Sequence, residues 1–123
     1  MKKKILIVED DKFLRELIAK KLIFNDYEVI EAVDGEEGIT KATENKPDLV
    51  LLDLILPGID GFGVLARIKE NMTIKETPVI VLSNLSQQGD IEKVMQLGAA
   101  DFLIKAHFIP GEIIDKIRRI LDK

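Results

Sequence analysis

The feature of this sequence that most constrains its fold is a run of four aliphatic residues, Leu49–Leu52, that ends in a carboxylate at Asp53. The run is too short to span a membrane, and a Pro57-Gly58 turn follows it. In a parallel sheet covered on both faces, strands read as continuous aliphatic runs, and ligands sit outside their carboxyl ends. The pattern therefore predicts a buried central strand over residues 48–53, with Asp53 projecting into a crevice at the edge of the sheet.

The totals favour one globular domain over residues 1–123. Hydrophobic residues make up 46% and charged residues 33% of the chain, and cysteine is absent, which excludes disulfides and thiolate metal sites. The start MKKKILIVEDD has too short an apolar part for a signal peptide, so we expect a cytoplasmic protein. The net charge is −4, and acidic and basic residues are mixed along the chain. The sequence therefore lacks the cluster of basic residues that is typical of nucleic-acid-binding proteins. We expect no direct nucleic-acid partner and no membrane partner.

Aliphatic runs alternate with amphipathic stretches along the whole chain. The runs predict strands over residues 3–8, 27–32, 48–53, 79–82 and 101–104. The amphipathic stretches predict helices over residues 12–25, 36–45, 61–71, 87–97 and 111–121. Five strands alternating with five helices indicate a doubly wound α/β domain with a five-stranded parallel sheet. The flavodoxin-like order 2-1-3-4-5 puts the switch point between strands one and three.

Helix faces and caps follow from the same periodicity. The first helix is predicted to turn five residues inward, Phe13, Leu14, Leu17, Ile18 and Leu22. The fourth is predicted to turn three residues inward, Ile91, Val94 and Met95. Asp11 either caps the first helix by accepting from an unpaired backbone N–H or stays a loop residue. Gly98 is predicted to end the fourth helix.

Five polar residues follow the predicted strands. Glu9 and Asp10 follow strand one, Asp53 follows strand three, and Ser83 and Lys105 follow strands four and five. The predicted order brings them to one rim, where three converging carboxylates would repel one another. A divalent cation removes the conflict, and oxygen-only ligands favour Mg²⁺ over Zn²⁺. For Glu9 alone, the alternative is a solvated loop residue.

The predicted metal site has direct and indirect ligands. We expect Asp10 and Asp53 to bind the ion directly, Glu9 to bind it through water, and the backbone carbonyl near Ile55 to complete the protein ligands. Mg²⁺ is the expected ion, and Mn²⁺ could replace it.

With a metal bound, an Asp53 oxygen could attack phosphorus and form an acyl phosphate. Lys105 would offer a positive charge, and Ser83 a hydroxyl, to the phosphoryl oxygens. A lone lysine in a loop is usually solvated, and a lone serine usually bonds to local backbone. The hypothesis therefore depends on each residue lying at the carboxyl end of its own strand.

Over essentially its whole length, the chain resembles the response-regulator receiver domain of bacterial two-component signalling. Five matches carry the resemblance: Glu9-Asp10, Asp53, the Pro57-Gly58 turn, Ser83 and Lys105. The resemblance implies that Asp53 accepts a phosphoryl group from a histidine of a sensor kinase or a phosphotransfer protein. It also implies that Ser83 is the switch hydroxyl, that Lys105 contacts the phosphoryl group, and that Phe102 is the aromatic switch residue. For Phe102, the alternative is a simple core residue.

The resemblance also bears on output. It implies a signalling switch rather than an enzyme, with self-catalysed phosphorylation and dephosphorylation. A downstream protein would bind the face of the fourth helix, fifth strand and fifth helix, residues 87–121. The implied oligomeric state is a monomer or a phosphorylation-dependent dimer. The sequence leaves open whether the chain acts alone or as a module of a larger regulator.

Three positions depart from the family pattern. Ala106 stands where the family usually has proline after the lysine, often with a cis bond before it. We expect either a cis Lys105-Ala106 bond, at a cost of about 3 kcal/mol, or a different loop path, and the cis bond is the one favoured. Asn84 stands where a small residue is usual, so we expect altered phosphorylation or hydrolysis rates. Ile55 offers no side chain to orient an attacking water, which favours a longer-lived acyl phosphate.

Other function classes fit less well. A phosphatase of the haloacid-dehalogenase class needs a second aspartate where Ile55 stands. A flavin carrier needs a Ser/Thr/Gly-rich phosphate loop after strand one, where Glu9 and Asp10 would repel phosphate. The main alternative is a receiver-shaped binding module that does not use phosphorylation, and the retained acids, Ser83 and Lys105 argue against it. The single histidine, His107, is interpreted as a surface or packing residue rather than a phosphoryl carrier.

Overall fold

A computed structural model of the protein describes residues 2–84, 88–107 and 109–122, without the side chains of residues 107 and 110. The strands are β1 (Lys4–Val8), β2 (Glu28–Ala32), β3 (Leu49–Leu52), β4 (Val79–Ser83) and β5 (Asp101–Ile104). The helices are α1 (Lys12–Phe24), α2 (Gly35–Asn45), α3 (Gly61–Glu70), α4 (Gln88–Gln96) and α5 (Pro110–Leu121), with a 3₁₀ turn at Lys105–His107. The predicted elements are confirmed, with small differences at their ends. Residue 87, the predicted start of the fourth helix, lies outside the described residues.

The strands form one parallel sheet in the order β2-β1-β3-β4-β5, as predicted. Val8 of β1 lies opposite Leu52 of β3, and Ser83 of β4 lies opposite Ile104 of β5. All four residues are at the carboxyl ends of their strands. The residues that follow them therefore share one edge of the sheet.

The core has two layers because alternate residues of each strand face opposite sides of the sheet. Leu6 and Val8 of β1 pack towards α2, α3 and α4, where Val64 and Ile68 are buried. Ile5 and Ile7, the odd-numbered residues of β1, pack towards α1 and α5. Helices on both faces leave the central strands almost without solvent contact, which accounts for their uninterrupted aliphatic sequence.

The predicted inward faces of α1 and α4 are partly wrong. Ile18 and Leu22 are buried in α1, but Phe13 is 79% and Leu17 is 43% exposed. Phe13 and Leu17 each lie one position before a member of the inward-facing row, whose residues are four positions apart. A shift of one residue turns a side chain by about 100° around the helix axis, so these two side chains point away from the core. In α4, Met95 is 45% exposed, because its neighbour Val94 already occupies the buried position.

The helix ends are set by side-chain and glycine caps. The Asp11 side chain accepts from the Leu14 N–H at 3.0 Å, so its predicted capping role is confirmed. Asp34 and Asp60 cap α2 and α3 in the same way. Gly98 follows α4 with a φ of +105°, a conformation that costs glycine little.

The described helices are short. The longest, α1, has 13 residues, against about 20 for a membrane-spanning helix. Among the described residues, no helix combines the length and the apolar character needed to cross a bilayer.

Candidate functional site

Three carboxylates meet where β1 and β3 end. Glu9 and Asp10 follow β1, Asp53 follows β3, and one carboxylate oxygen from each lies within 4.8 Å of the other two. Glu9 is 3% and Asp53 is 5% exposed, whereas Asp10 is exposed. The three acids therefore lie together at the switch point between β1 and β3, as predicted.

Lys105, which follows the edge strand β5, lies next to the carboxylates. Its Nζ lies 2.6 Å from Glu9 Oε1 and 2.9 Å from Asp53 Oδ2, and its side chain is 15% exposed. Burial raises the pKa of Glu9, and the charge of Asp53 raises it further against the opposing effect of Lys105. Burial lowers the pKa of Lys105, but its hydrogen bonds to Asp53 and Glu9 outweigh burial and leave that pKa raised. The ammonium group thus compensates two nearly buried acids.

Backbone donors hold the remaining oxygens of the two buried acids. The Asp11 N–H donates to Glu9 Oε2 at 3.1 Å, and the Ile55 N–H donates to Asp53 Oδ1 at 3.3 Å. Both Glu9 oxygens therefore accept from protein groups, whereas Asp10 remains open to solvent. The Ile55 side chain is 57% exposed and carries no polar group.

Ser83 and Asn84 lie at the end of β4. Ser83 is fully buried, and its partner in register, Ile104, immediately precedes Lys105. Asn84 is exposed and lines an open cleft of about 380 Å³ together with Lys105 and Ala106. The structure thus places the predicted hydroxyl and lysine at the ends of adjacent strands.

Comparison with known proteins identifies the family. The model of the response regulator receiver domain matches residues 5–118.

The chain belongs to the response regulator receiver domain family.

Curated relatives of this receiver domain are regulators of greater length. The Bacillus subtilis (strain 168) protein named alkaline phosphatase synthesis transcriptional regulatory protein PhoP is 36% identical over 121 residues, which cover 98% of this chain and 49% of PhoP. The chain spans about half the length of this and other curated relatives that it matches.

Solved structures show the same fold. A putative response regulator from Chloroflexus aurantiacus J-10-fl is 31% identical, with a TM-score of 0.92 and full coverage of both chains. The chemotaxis protein CheY4 of Vibrio cholerae is 26% identical, with a TM-score of 0.91, over 98% of this chain and 100% of CheY4.

The donor set of this receiver domain suits a hard divalent cation. The clustered groups are carboxylates alone, and oxygen ligands favour Mg²⁺ or Mn²⁺, whereas Zn²⁺ in proteins is most often held by nitrogen or sulfur. The three acids carry more negative charge than one Lys105 ammonium neutralises. The residues present therefore fit the Mg²⁺ that receiver domains bind at an acidic pocket.

The expected cis bond between Lys105 and Ala106 is wrong. No peptide bond between described residues is cis, and the chain leaves β5 through the 3₁₀ turn at Lys105–His107. A cis bond without proline costs about 3 kcal/mol, and Lys105 reaches both acids from a trans backbone. The loop thus takes the different path that was the alternative. The side chain of His107 lies outside the described part of the structure, so the interpretation of that residue stays a prediction.

Phe102 lies in β5 on the side of the sheet that faces α2, α3 and α4. It is partly buried against that core layer and lies opposite Val81 in the register. This position is compatible with both of its predicted roles, a core residue and an aromatic switch.

Two residues at the site were missed from the sequence. Arg15 Nη1 donates to the Glu9 carbonyl at 2.9 Å, and its partner Glu31 lies on β2, which sequence spacing does not reveal. Gly61 begins α3 so close to the site that an added Cβ would overlap the Asp53 carbonyl oxygen and Leu54 Cα. A glycine at the start of a predicted helix was the available signal for that close approach.

Proposed function

We propose that this receiver domain is a phosphorylation-dependent switch that accepts a phosphoryl group on Asp53 from a phosphohistidine of a sensor kinase or phosphotransfer protein. The observation that carries the proposal is the position of the nearly buried Asp53 carboxylate. It lies within reach of the acid pair Glu9-Asp10, and Lys105 Nζ contacts both Asp53 and Glu9. An acceptor of phosphoryl groups needs negative charge to hold a cation and a positive donor for the phosphoryl oxygens.

The proposed metal ligands are Asp10 and Asp53 directly, Glu9 through water, and the Ile55 carbonyl. Two observations support this set of ligands. One carboxylate oxygen of each acid lies within 4.8 Å of the other two, and Asp10 is exposed, so it is open to a cation from solvent. A bound Mg²⁺, or Mn²⁺ in its place, would neutralise charge on the attacking carboxylate and on the phosphoryl oxygens.

The proposed step is an in-line displacement at phosphorus. One Asp53 carboxylate oxygen attacks, a P–O bond forms, and the P–N bond to the donor imidazole breaks. The electron pair of that bond stays on the imidazole nitrogen, which then takes a proton from solvent. Lys105 moves its hydrogen bond from Asp53 to a phosphoryl oxygen, and the Ile55 N–H keeps the acceptor side chain oriented.

The proposed output follows from the end of β4. The Ser83 hydroxyl moves towards the phosphoryl group, and the half-buried Phe102 ring turns inward. A downstream protein then binds the face of α4, β5 and α5, as a monomer or as a phosphorylation-dependent dimer. This is signalling in the cytoplasm rather than enzymatic turnover of a substrate. The absence of direct nucleic-acid contact stays a prediction, since several relatives are named transcriptional regulators and one of these is named DNA-binding.

Intact-mass measurement tests the proposal. With Mg²⁺ and either acetyl phosphate or phosphoramidate, whose P–N bond matches that of phosphohistidine, the mass should rise by one phosphoryl group. Chelation of Mg²⁺ and the Asp53→Asn variant should each abolish the gain. Asp26→Asn is the matched control, because that side chain is 85% exposed and lies outside the acid cluster. Absence of any gain with either donor would favour a binding module that does not use phosphorylation.

A further inference from the structure

We infer that Arg15 is a positioning residue for the acidic loop, so that its removal weakens Mg²⁺ binding. This inference rests on the proposed function. Arg15 Nη1 donates to the Glu9 carbonyl oxygen at 2.9 Å, and Nε lies 3.0 Å from Glu31 Oε1. Its side chain is only 11% exposed. One guanidinium group thus links the loop after β1 to the neighbouring strand β2.

The contact with Glu9 fixes the peptide unit that leads into Asp10. The Glu9 carbonyl and the Asp10 N–H belong to the same planar group, so a donor on that oxygen sets the direction in which Asp10 leaves the strand. The Glu9 N–H is held as well, by the Ala32 carbonyl at 3.0 Å. The backbone of Glu9 is therefore held at both its N–H and its carbonyl, and Arg15 supplies the second of these contacts. This backbone sets the positions of Glu9 and Asp10.

Arg15 is itself oriented from β2. Glu31 accepts its Nε, and Lys41 Nζ donates to the Glu31 carbonyl at 2.6 Å. The planar guanidinium suits contact with both the Glu31 carboxylate and the Glu9 carbonyl, because its N–H donors point in fixed directions. An ammonium at the same place keeps the charge but not the two directed bonds.

The sign of the effect separates positioning from the other roles of a buried arginine. A cation near the acid cluster opposes a second cation, so by charge alone the loss of Arg15 would tighten Mg²⁺ binding. A purely structural tie between α1 and β2 would lower the melting temperature and leave the affinity of the folded protein unchanged. Only a positioning role predicts weaker binding, since residues that orient metal ligands contribute roughly 10–100-fold to affinity.

Calorimetric titration with Mg²⁺ decides between these roles. We expect Kd to rise about tenfold in Arg15→Ala and to rise in Arg15→Lys as well, because lysine retains only the charge. Arg118→Ala is the control: it removes an arginine that links α5 to Asn25, away from the acidic loop, and Kd should not change. An unchanged or lower Kd in Arg15→Ala would overturn the inference. If Arg15→Ala does not fold, Arg15→Lys carries the same test.

Amide hydrogen exchange without metal separates this inference from the proposed function. The Glu9 N–H donates to the Ala32 carbonyl of β2, and the Asp11 N–H donates to the Glu9 side chain. Both N–H groups should exchange faster in Arg15→Ala than in Arg118→Ala at matched stability. Failure of the parent protein to bind Mg²⁺ would overturn the proposed function. The exchange rates would still decide the role of Arg15, and equal rates in the two variants would overturn it.

Discussion

Lys105 Nζ lies 2.9 Å from Asp53 Oδ2, although the two residues are 52 positions apart in the chain. The same ammonium group is 2.6 Å from Glu9 Oε1. Lys105 therefore compensates the two least exposed acids of the cluster, which are also the residues that the proposed function assigns to Mg²⁺ and to the phosphoryl group. Lysine and metal compete for the same negative charge.

Substitution of the lysine should have opposite effects on metal binding and on phosphorylation. In Lys105→Met, the acids lose their compensating charge, so Mg²⁺ should bind about tenfold more tightly, or ~1.4 kcal/mol. Phosphorylation by acetyl phosphate should slow, because the phosphoryl oxygens lose a positive donor. Calorimetry and time-resolved intact mass measure the two effects. Weaker Mg²⁺ binding in the variant would show that Lys105 supports the metal rather than opposing it.

Mg²⁺ should stabilise the folded protein. A ligand that binds only the folded state contributes about 2.7 kcal/mol at one hundred times its Kd, so the melting temperature should rise with Mg²⁺ concentration. In Asp10→Asn the rise should be much smaller, because the variant lacks the exposed direct ligand. In the control variant Asp26→Asn, the melting temperature should rise with Mg²⁺ as much as in the parent protein. An equal rise in Asp10→Asn and the parent would remove Asp10 from the set of ligands.

Because α3 begins so close to the site, alanine substitutions at Gly61 and Gly89 should have different effects on the free energy of unfolding. Gly61→Ala should destabilise the protein by about 1–3 kcal/mol, because the new Cβ would overlap the Asp53 carbonyl and force α3 to shift. Gly89→Ala should be neutral or stabilising by up to about 1 kcal/mol, since that position in α4 is open. Urea unfolding measures both values. Equal stability of the two variants would contradict the described packing of α3.

Asn84 should affect the lifetime of the acyl phosphate. Asn84 lines the cleft beside Lys105, and we expect it to restrict the approach of water to the proposed phosphoryl site. Asn84→Ala should therefore shorten the lifetime several-fold, while the Mg²⁺ affinity stays the same. The decay of intact mass after removal of the phosphodonor measures the lifetime. A lifetime equal to that of the parent would exclude a gating role for Asn84.

Strand order and the meeting of the site residues were predictable from the sequence. An aliphatic run such as Leu49–Leu52 indicates a strand buried on both faces, and the carboxyl ends of parallel strands share one edge. Asp53, Glu9 and Lys105 could therefore be placed together before any distance was known. The same local reasoning identified the Asp11 cap, because the capping bond joins residues three apart.

What the sequence did not predict depends on tertiary placement. Periodicity located the stripe of α1 but not its edge, so Phe13 was assigned to the core although it is 79% exposed. The role of Arg15 depends on Glu31, which is brought to it by the pairing of β2 with β1. The expected cis bond came from a proline pattern that Ala106 does not share, and the trans loop follows from the cost of a cis bond without proline.

Mapping the modified residue shows whether Asp53 is the phosphoryl acceptor. After phosphorylation with phosphoramidate and Mg²⁺, borohydride reduces an aspartyl phosphate to homoserine, which peptide mass spectrometry locates. We expect homoserine at position 53 alone, and none in Asp53→Asn. Homoserine at another aspartate, or a phosphoryl group found on a different side chain, would contradict it.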